Sequence, residues 1–154
     1  MEIDKPGILP ERAAEFFRAA PLVTSLDIGA GGVRHLASLP GLQLEELNLD
    51  RNRVRDAGMS ALARWKKCPP LNKLELIENE IGDTGARSLA GAPLLAGFTH
   101  LRLDDNPIGD AGAIALAASP HLSRLKNVFL SEKVGKAGRD AIRKRFGSKV
   151  GCFV

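Results

Sequence analysis

The feature that most narrows the folds open to this chain is a repeat of fixed length. The stretch Leu71, Leu74, Leu76, Asn79, Ile81, Asp83, Gly85, Leu89 recurs upstream as Leu44, Leu47, Leu49, Asn52, Val54, Asp56, Gly58, Leu62. Downstream it recurs as Phe98, Leu101, Leu103, Asn106, Ile108, Asp110, Gly112, Leu116, and successive copies stand 27 residues apart. A unit of that size cannot bury a core by itself. It must stack on its neighbours, so the period marks a solenoid.

At 154 residues, with 44% hydrophobic and 26% charged positions, the chain has one domain's worth of sequence and can bury a core. Its apolar runs fall short of the roughly 20 residues a membrane-spanning helix needs, and Met1 to Leu9 lacks a basic region followed by an apolar one. The expectation is a cytoplasmic protein without a membrane span. Cys68 and Cys152 fall three repeats apart. Stacked helices are about 8 to 10 Å apart, beyond the roughly 7 Å limit for a disulfide, so both are expected as free thiols. The net charge of +4 is unevenly placed: 124–149 holds nine Lys or Arg against Glu132 and Asp140, a segment charge of +7 that leaves −3 elsewhere. The basic total describes one end of the molecule and is weak support for nucleic-acid binding.

Taken in order, residues 1–22 read as an N-terminal cap. Ala13, Phe16, Phe17 and Ala20 have helical spacing between Pro10 and Pro21, and the open end of a stack needs a cover. Residues 23–124 carry the repeats, divided 23–43, 44–70, 71–97 and 98–124. Val23, Leu26, Ile28 and Val33 match the second unit at an offset of 21, so the first unit is six residues short. Its helix is expected to be brief, with Gly29, Gly31 and Gly32 in the turn and Gly31 at the Asn position. Residues 125–154 form a degenerate capping unit, with Lys133 in place of the Asn and Lys136 in place of the Asp. Its basic helix, Ala137 to Phe146, is expected to close at Gly147, a residue suited to a left-handed helix end.

The pattern LxxLxLxxNxIxDxGxxxL resembles the leucine-rich repeat family. The period of 27 with an Asp-x-Gly helix start is most similar to its ribonuclease-inhibitor subclass. The resemblance covers Val23 to Phe146, and three consecutive units match at every defining position. It implies an α/β right-handed solenoid or horseshoe, with a parallel sheet inside, helices outside, and protein binding as the commonest role. The pattern Ile3-Asp4 followed by Glu15-Phe16-Phe17-Arg18-Ala19-Ala20-Pro21 is also similar to a region that precedes short bacterial arrays of this family.

Physical reasons agree with that shape. Leu47 and Leu49, Leu74 and Leu76, and Leu101 and Leu103 alternate at period two, so each pair points to one side of a short strand near 46–50, 73–77 and 100–104, with a fourth near 127–131. Parallel strands lie about 4.8 Å apart and helices about 8 to 10 Å, so the stack must curve with its sheet on the concave side. Asn52, Asn79 and Asn106 are expected to form a ladder serving main-chain groups that have no strand partner. Asp56, Asp83 and Asp110 stand where helices begin, suited to accept from free N–H groups there. Repetition of these carboxylates marks them as structural rather than catalytic. Trp65, near a helix end with Ala92 and Ser119 as its counterparts, is expected to pack in the core or cover a loop.

No catalytic, cofactor or metal constellation is expected. His35, His100 and His121 lie in different parts of the repeat, Cys68 lacks paired ligand spacing, and no phosphate-binding glycine loop follows a strand. The informative surface is the outward face of the strands. Its rows are Glu46, Lys73, His100, Asn127; Asn48, Glu75, Arg102, Phe129; Asp50, Ile77, Asp104, Ser131; and, at the edge, Arg51, Glu78, Asp105, Glu132. With Asp27 the face is net −5, in part paired through Glu46 with Lys73 and Glu75 with Arg102. Glu78, Asp104, Asp105 and Glu132 lack evident partners. Ile77 and Phe129 are apolar where nothing requires it unless a partner covers them. The expected role is a protein-interaction module whose partner presents a basic patch to this face. A second reading has Lys136, Arg139, Arg143, Lys144, Arg145 and Lys149 contact nucleic acid or an acidic membrane surface. It ranks lower because no aromatic series is interleaved with those charges.

Overall fold

A computed structural model describes residues 29–38, 44–66 and 71–147. The expected cap helix, the first strand, Asp27, Lys149 and both cysteines lie outside the described residues. In chain order the elements are helix α1 (Gly29–Leu36), strand β1 (Glu46–Asn48), helix α2 (Arg55–Ala63), strand β2 (Lys73–Glu75), helix α3 (Asp83–Ala90), a 3-10 turn (Pro93–Gly97), strand β3 (His100–Leu103), helix α4 (Asp110–Ala117), strand β4 (Asn127–Leu130) and helix α5 (Lys136–Phe146). The strands form one parallel sheet in sequence order, with Leu47, Leu74, Leu101 and Val128 in register. Parallel neighbours need long crossovers, and α2, α3 and α4 provide them, each packing on the next helix. The architecture is the α/β solenoid expected from the period.

Between sheet and helices lies a single continuous core. Leu47, Leu49, Leu74, Leu76, Leu101 and Leu103 enter it from the sheet side, and Met59, Leu62, Leu89, Leu116 and Ile142 from the helices, all buried. Trp65 is buried in the same cluster, the first of the two places expected for it. A leucine exchanged for alanine here would cost roughly 2 to 5 kcal/mol.

The asparagine ladder is present and runs between units. Asn79 Oδ1 accepts from the backbone N–H groups of Asn52 (3.0 Å) and Val54 (3.1 Å), while its Nδ2 donates to Leu49 O (2.7 Å) and Ile77 O (2.9 Å). One unit later Asn106 Oδ1 accepts from Asn79 N and Ile81 N, both at 3.0 Å, and Nδ2 reaches Leu76 O at 2.8 Å. Each amide thus completes the loop of the preceding unit. The ladder ends where Lys133 replaces the Asn, and Lys133 N donates instead to Ser131 Oγ at 3.2 Å.

The repeated aspartates differ from expectation in an instructive way. None caps its own helix, and the caps of α2 to α5 carry no side-chain hydrogen bond from the capping residue. Instead Asp56 Oδ1 accepts from Gly82 N (2.8 Å), Asp83 Oδ1 from Gly109 N (2.8 Å) and Gly112 N (2.9 Å), and Asp110 Oδ1 from Gly138 N (2.9 Å). Each carboxylate serves the start of the next helix, whose first N–H groups lack helical partners. The glycine of Asp-x-Gly follows from this contact: a Cβ on Gly112 would lie 2.7 Å from Asp83 Oδ1 and 2.8 Å from Ile108 Cγ2.

Three further expectations are corrected. Gly29 to Gly32 do not form a turn but open α1, which at 8 residues is as long as α3 and α4. Gly32, Val33 and Leu36 stand 26 residues before Gly58, Met59 and Leu62, and Val33 is a core residue rather than a loop one. The first unit is therefore shortened ahead of its helix, in the segment that carries the Asn elsewhere. The strands are also shorter than expected, because the chain turns inward after Asn48, Glu75, Leu103 and Leu130. Helix α5 ends at Gly147 with φ +62°, the positive value expected there.

Asn79→Ala leaves the N–H groups of Asn52 and Val54 and the carbonyl of Leu49 without their partner, while Ile77 O keeps the Arg51 N–H, and is expected to destabilise by about 3 kcal/mol. Glu80→Ala removes only exposed ion pairs to Arg53 and Arg55 and is expected to cost under about 1 kcal/mol. Urea unfolding of the two variants measures the difference, and equal midpoint shifts would refute the structural role of the amide.

Candidate functional site

Three-residue strands with period-two alternation place two rows on the sheet face, and the pairing register confirms both. Glu46, Lys73, His100 and Asn127 are aligned across the strands, as are Asn48, Glu75, Arg102 and Phe129. On the first half of the sheet the charges are internally satisfied. Lys73 Nζ lies 3.5 Å from Glu46 and 3.4 Å from Glu75, and Asn48 Nδ2 donates to Glu75 at 2.8 Å. Partial desolvation lowers the Lys73 pKa, but the two carboxylates outweigh it and hold the ammonium above its usual value.

The second half is arranged differently from expectation. Arg102 does not pair with Glu75, which is occupied by Lys73 and Asn48. Its Nε donates to Asp104 Oδ2, two residues along the chain, at 3.1 Å. The guanidinium carbon also stands 5.2 Å from the centre of the Phe129 ring, within cation–π range. Phe129 remains on the outer face, half-buried, while Val128 and Leu130 point into the core. The degenerate last unit thus keeps its strand orientation.

The third row becomes structural because it lies beyond the strand ends. Asp104 and Ser131 are buried, 6% and 2% exposed, so Asp104 is neither exposed nor without a partner as the sequence suggested. Asp50 Oδ1 accepts the Ile77 N–H at 2.7 Å. Only Ile77 of that row offers an apolar, half-buried side chain to the face. Glu78 also has a partner, Arg51 Nε at 2.7 Å. Asp105 and Glu132 are exposed.

Sequence reasoning missed the rim that continues from this edge. Arg51, Arg53, Arg55, Glu78, Glu80 and Asp105 all have positive φ, between 49° and 60°. Arg55 Nε meets Glu80 at 2.7 Å and Arg53 lies 3.9 Å from it. A shallow depression of about 610 Å³ runs along this rim as far as Lys133. The signal was available as Arg-x-Arg-x-Arg standing 27 residues before Glu-x-Glu, yet alternation alone could not tell that these positions leave the strand. The pairs are highly exposed, so each is worth about 0 to 1 kcal/mol.

Among the described residues no group of three or more His, Cys, Asp or Glu stands where it could hold a metal ion, and no helix is long and apolar enough to cross a membrane. Residues 44–63, 67–90 and 98–117 match the family model described as Leucine Rich repeat. Those segments are leucine-rich repeats, and the parallel sheet alternating with helices fits an α/β leucine-rich repeat solenoid. Such repeats are generally protein-interaction modules and typically non-catalytic. No curated protein matches the chain.

A double-mutant cycle tests the rearranged pairing. Arg102→Ala combined with Asp104→Ala is expected to show a coupling of about 1 to 2 kcal/mol, while Arg102→Ala with Glu75→Ala should fall below about 0.5 kcal/mol. Stronger coupling to Glu75, measured by urea denaturation, would reverse the assignment.

Proposed function

We propose that this protein is a non-catalytic interaction module whose protein partner docks on the concave sheet around Ile77, Arg102 and Phe129. The observation that carries the reading is the Arg102–Phe129 pair standing open on a sheet face whose other charges are largely satisfied internally. Aromatic and arginine side chains dominate the energetics of protein interfaces, and half-buried apolar groups rimmed by charge are their usual setting. Strand-borne side chains fixed by neighbouring units lose little entropy when a partner docks. Glu46 and Glu78 are paired with Lys73 and Arg51, but Asp105 and Glu132 are exposed, which favours a partner with a basic contact patch and association that quickens at low salt. Asn48, Asp50, Lys73, Glu75, His100 and Asp104 would then shape and support the face. The period and the Asp-x-Gly motif favour the ribonuclease-inhibitor-like subclass. The division into cap, repeats and basic capping unit, at 1–22, 23–124 and 125–154, and a cytoplasmic setting complete the proposal.

A second reading concerns α5 binding nucleic acid or an acidic surface. Lys136, Lys144 and Arg145 are exposed there, but the helix uses part of its charge on itself. Lys136 Nζ holds Asp140 at 2.8 Å, and Arg139 donates to Val134 O and Glu132 O, both at 2.7 Å. That internal use, with basic residues complementing the helix C-terminus, supports ranking this reading second.

The test is a captured partner titrated against Ile77→Ala, Phe129→Ala, Asp105→Lys and the convex-side control Arg87→Ala on α3. Phe129→Ala is expected to weaken binding by at least about 2 kcal/mol, and Asp105→Lys to slow association and flatten its salt dependence. Arg87→Ala should change nothing, and loss of binding in that variant alone would make the assignment wrong. Tight binding of random DNA, falling steeply with salt, would promote the second reading.

A further inference from the structure

Arg102 is held in one orientation from two sides. Its Nε is bound to Asp104, whose side chain is only 8% exposed, and its guanidinium carbon stands 5.2 Å from the centre of the Phe129 ring. An anchor this buried does not swing with the arginine. Among the described residues neither terminal nitrogen of Arg102 has a hydrogen-bond partner, while the side chain is 39% exposed. What reaches the concave surface is the end of a planar cation with two parallel N–H groups at a fixed angle. That geometry matches the paired oxygens of a carboxylate.

The neighbours leave this edge without a competing anion. Glu75, the cross-strand neighbour, is held by Asn48 and Lys73. His100, two residues earlier on the same face, directs Nδ1 to Thr99 Oγ1 at 2.8 Å. The Thr99 hydroxyl also lies 3.1 Å from Asn72 O. Asn127, aligned with His100, adds no charge.

We propose, building on the concave-face reading above, that Arg102 is the recognition centre for one carboxylate of the protein partner, an Asp or Glu side chain set within an otherwise basic segment. Exposed Asp105 and Glu132 select the basic flanks, and the Arg102 end selects the acid among them. Phe129 offers an apolar shelf to the methylene groups of that acid. The partner is read by the alternation of its charges, not by its net charge alone.

The experiment titrates the 15N-labelled full-length chain with a capped lysine peptide bearing one central glutamate, and with the same peptide bearing glutamine instead. The glutamate peptide is expected to bind about tenfold more tightly despite its smaller positive charge, the gain of one charge-assisted pair. Its shifts should centre on Arg102 and Phe129. The preference should disappear in Arg102→Gln, and also in Arg102→Lys, which keeps the charge beside Asp104 but loses the paired donors. Equal or weaker binding of the glutamate peptide, no binding of it, or a preference that survives both substitutions would overturn the inference. If both peptides shift the sheet residues equally, only the carboxylate assignment falls. If both shift only the helices, the concave-face reading falls with it.

Discussion

Everything in this molecule depends on a side-chain amide that completes the backbone of a neighbouring unit. A short strand that turns inward leaves N–H and C=O groups buried with no sheet partner, and such groups are costly unless paired. Asn79 and Asn106 each pair with backbone of the unit before their own. Asp56, Asp83 and Asp110 act in the opposite direction, each on the helix of the unit after. Each interface in the middle of the stack is thus closed at the loop by the later unit and at the helix by the earlier one. Stability in such an array is a matter of nearest neighbours, and here those neighbours share specific polar groups as well as a core.

This reciprocal closure explains why the outer face of the sheet is ordered. The strands are only three or four residues long, too short to define a rigid face by their own ladder bonds. The loops that follow them hold non-glycine residues at positive φ in every complete unit, a conformation that costs energy and persists where the surroundings enforce it. The asparagine bonds do the enforcing from below. Above them the side chains of β2 to β4 stand at fixed spacing, and Asp104, itself at the base of the loop, extends that order to Arg102 and through it to Phe129.

The period of 27 and the alternation at two are exact through the three full units, so the sheet order, its register and its first two surface rows could be read directly. The strand ends could not. Nothing in Asp50, Ile77, Asp104 and Ser131 distinguishes a fourth strand residue from the first residue of a turn, and that difference decides whether a carboxylate faces solvent or backbone. The partner of Arg102 was hidden for a related reason: Glu75 is in cross-strand register, but Lys73 and Asn48 compete for it, and competition is a property of three dimensions. The first unit misled because Val23, Leu26 and Ile28 follow one sequence offset and the helix after them another. The aspartates misled because helix-start chemistry is the same whether the helix served is a residue's own or its neighbour's.

The account's central claim, that each unit's loop is completed by the amide of the next, is tested most directly by amide hydrogen exchange in Asn106→Ala. The N–H groups of Asn79 and Ile81, which bond Asn106 Oδ1 at 3.0 Å, should lose protection strongly relative to the amides of β4 in the same variant. Unchanged protection at those two amides, or a loss confined to the unit that carries the substitution, would contradict it.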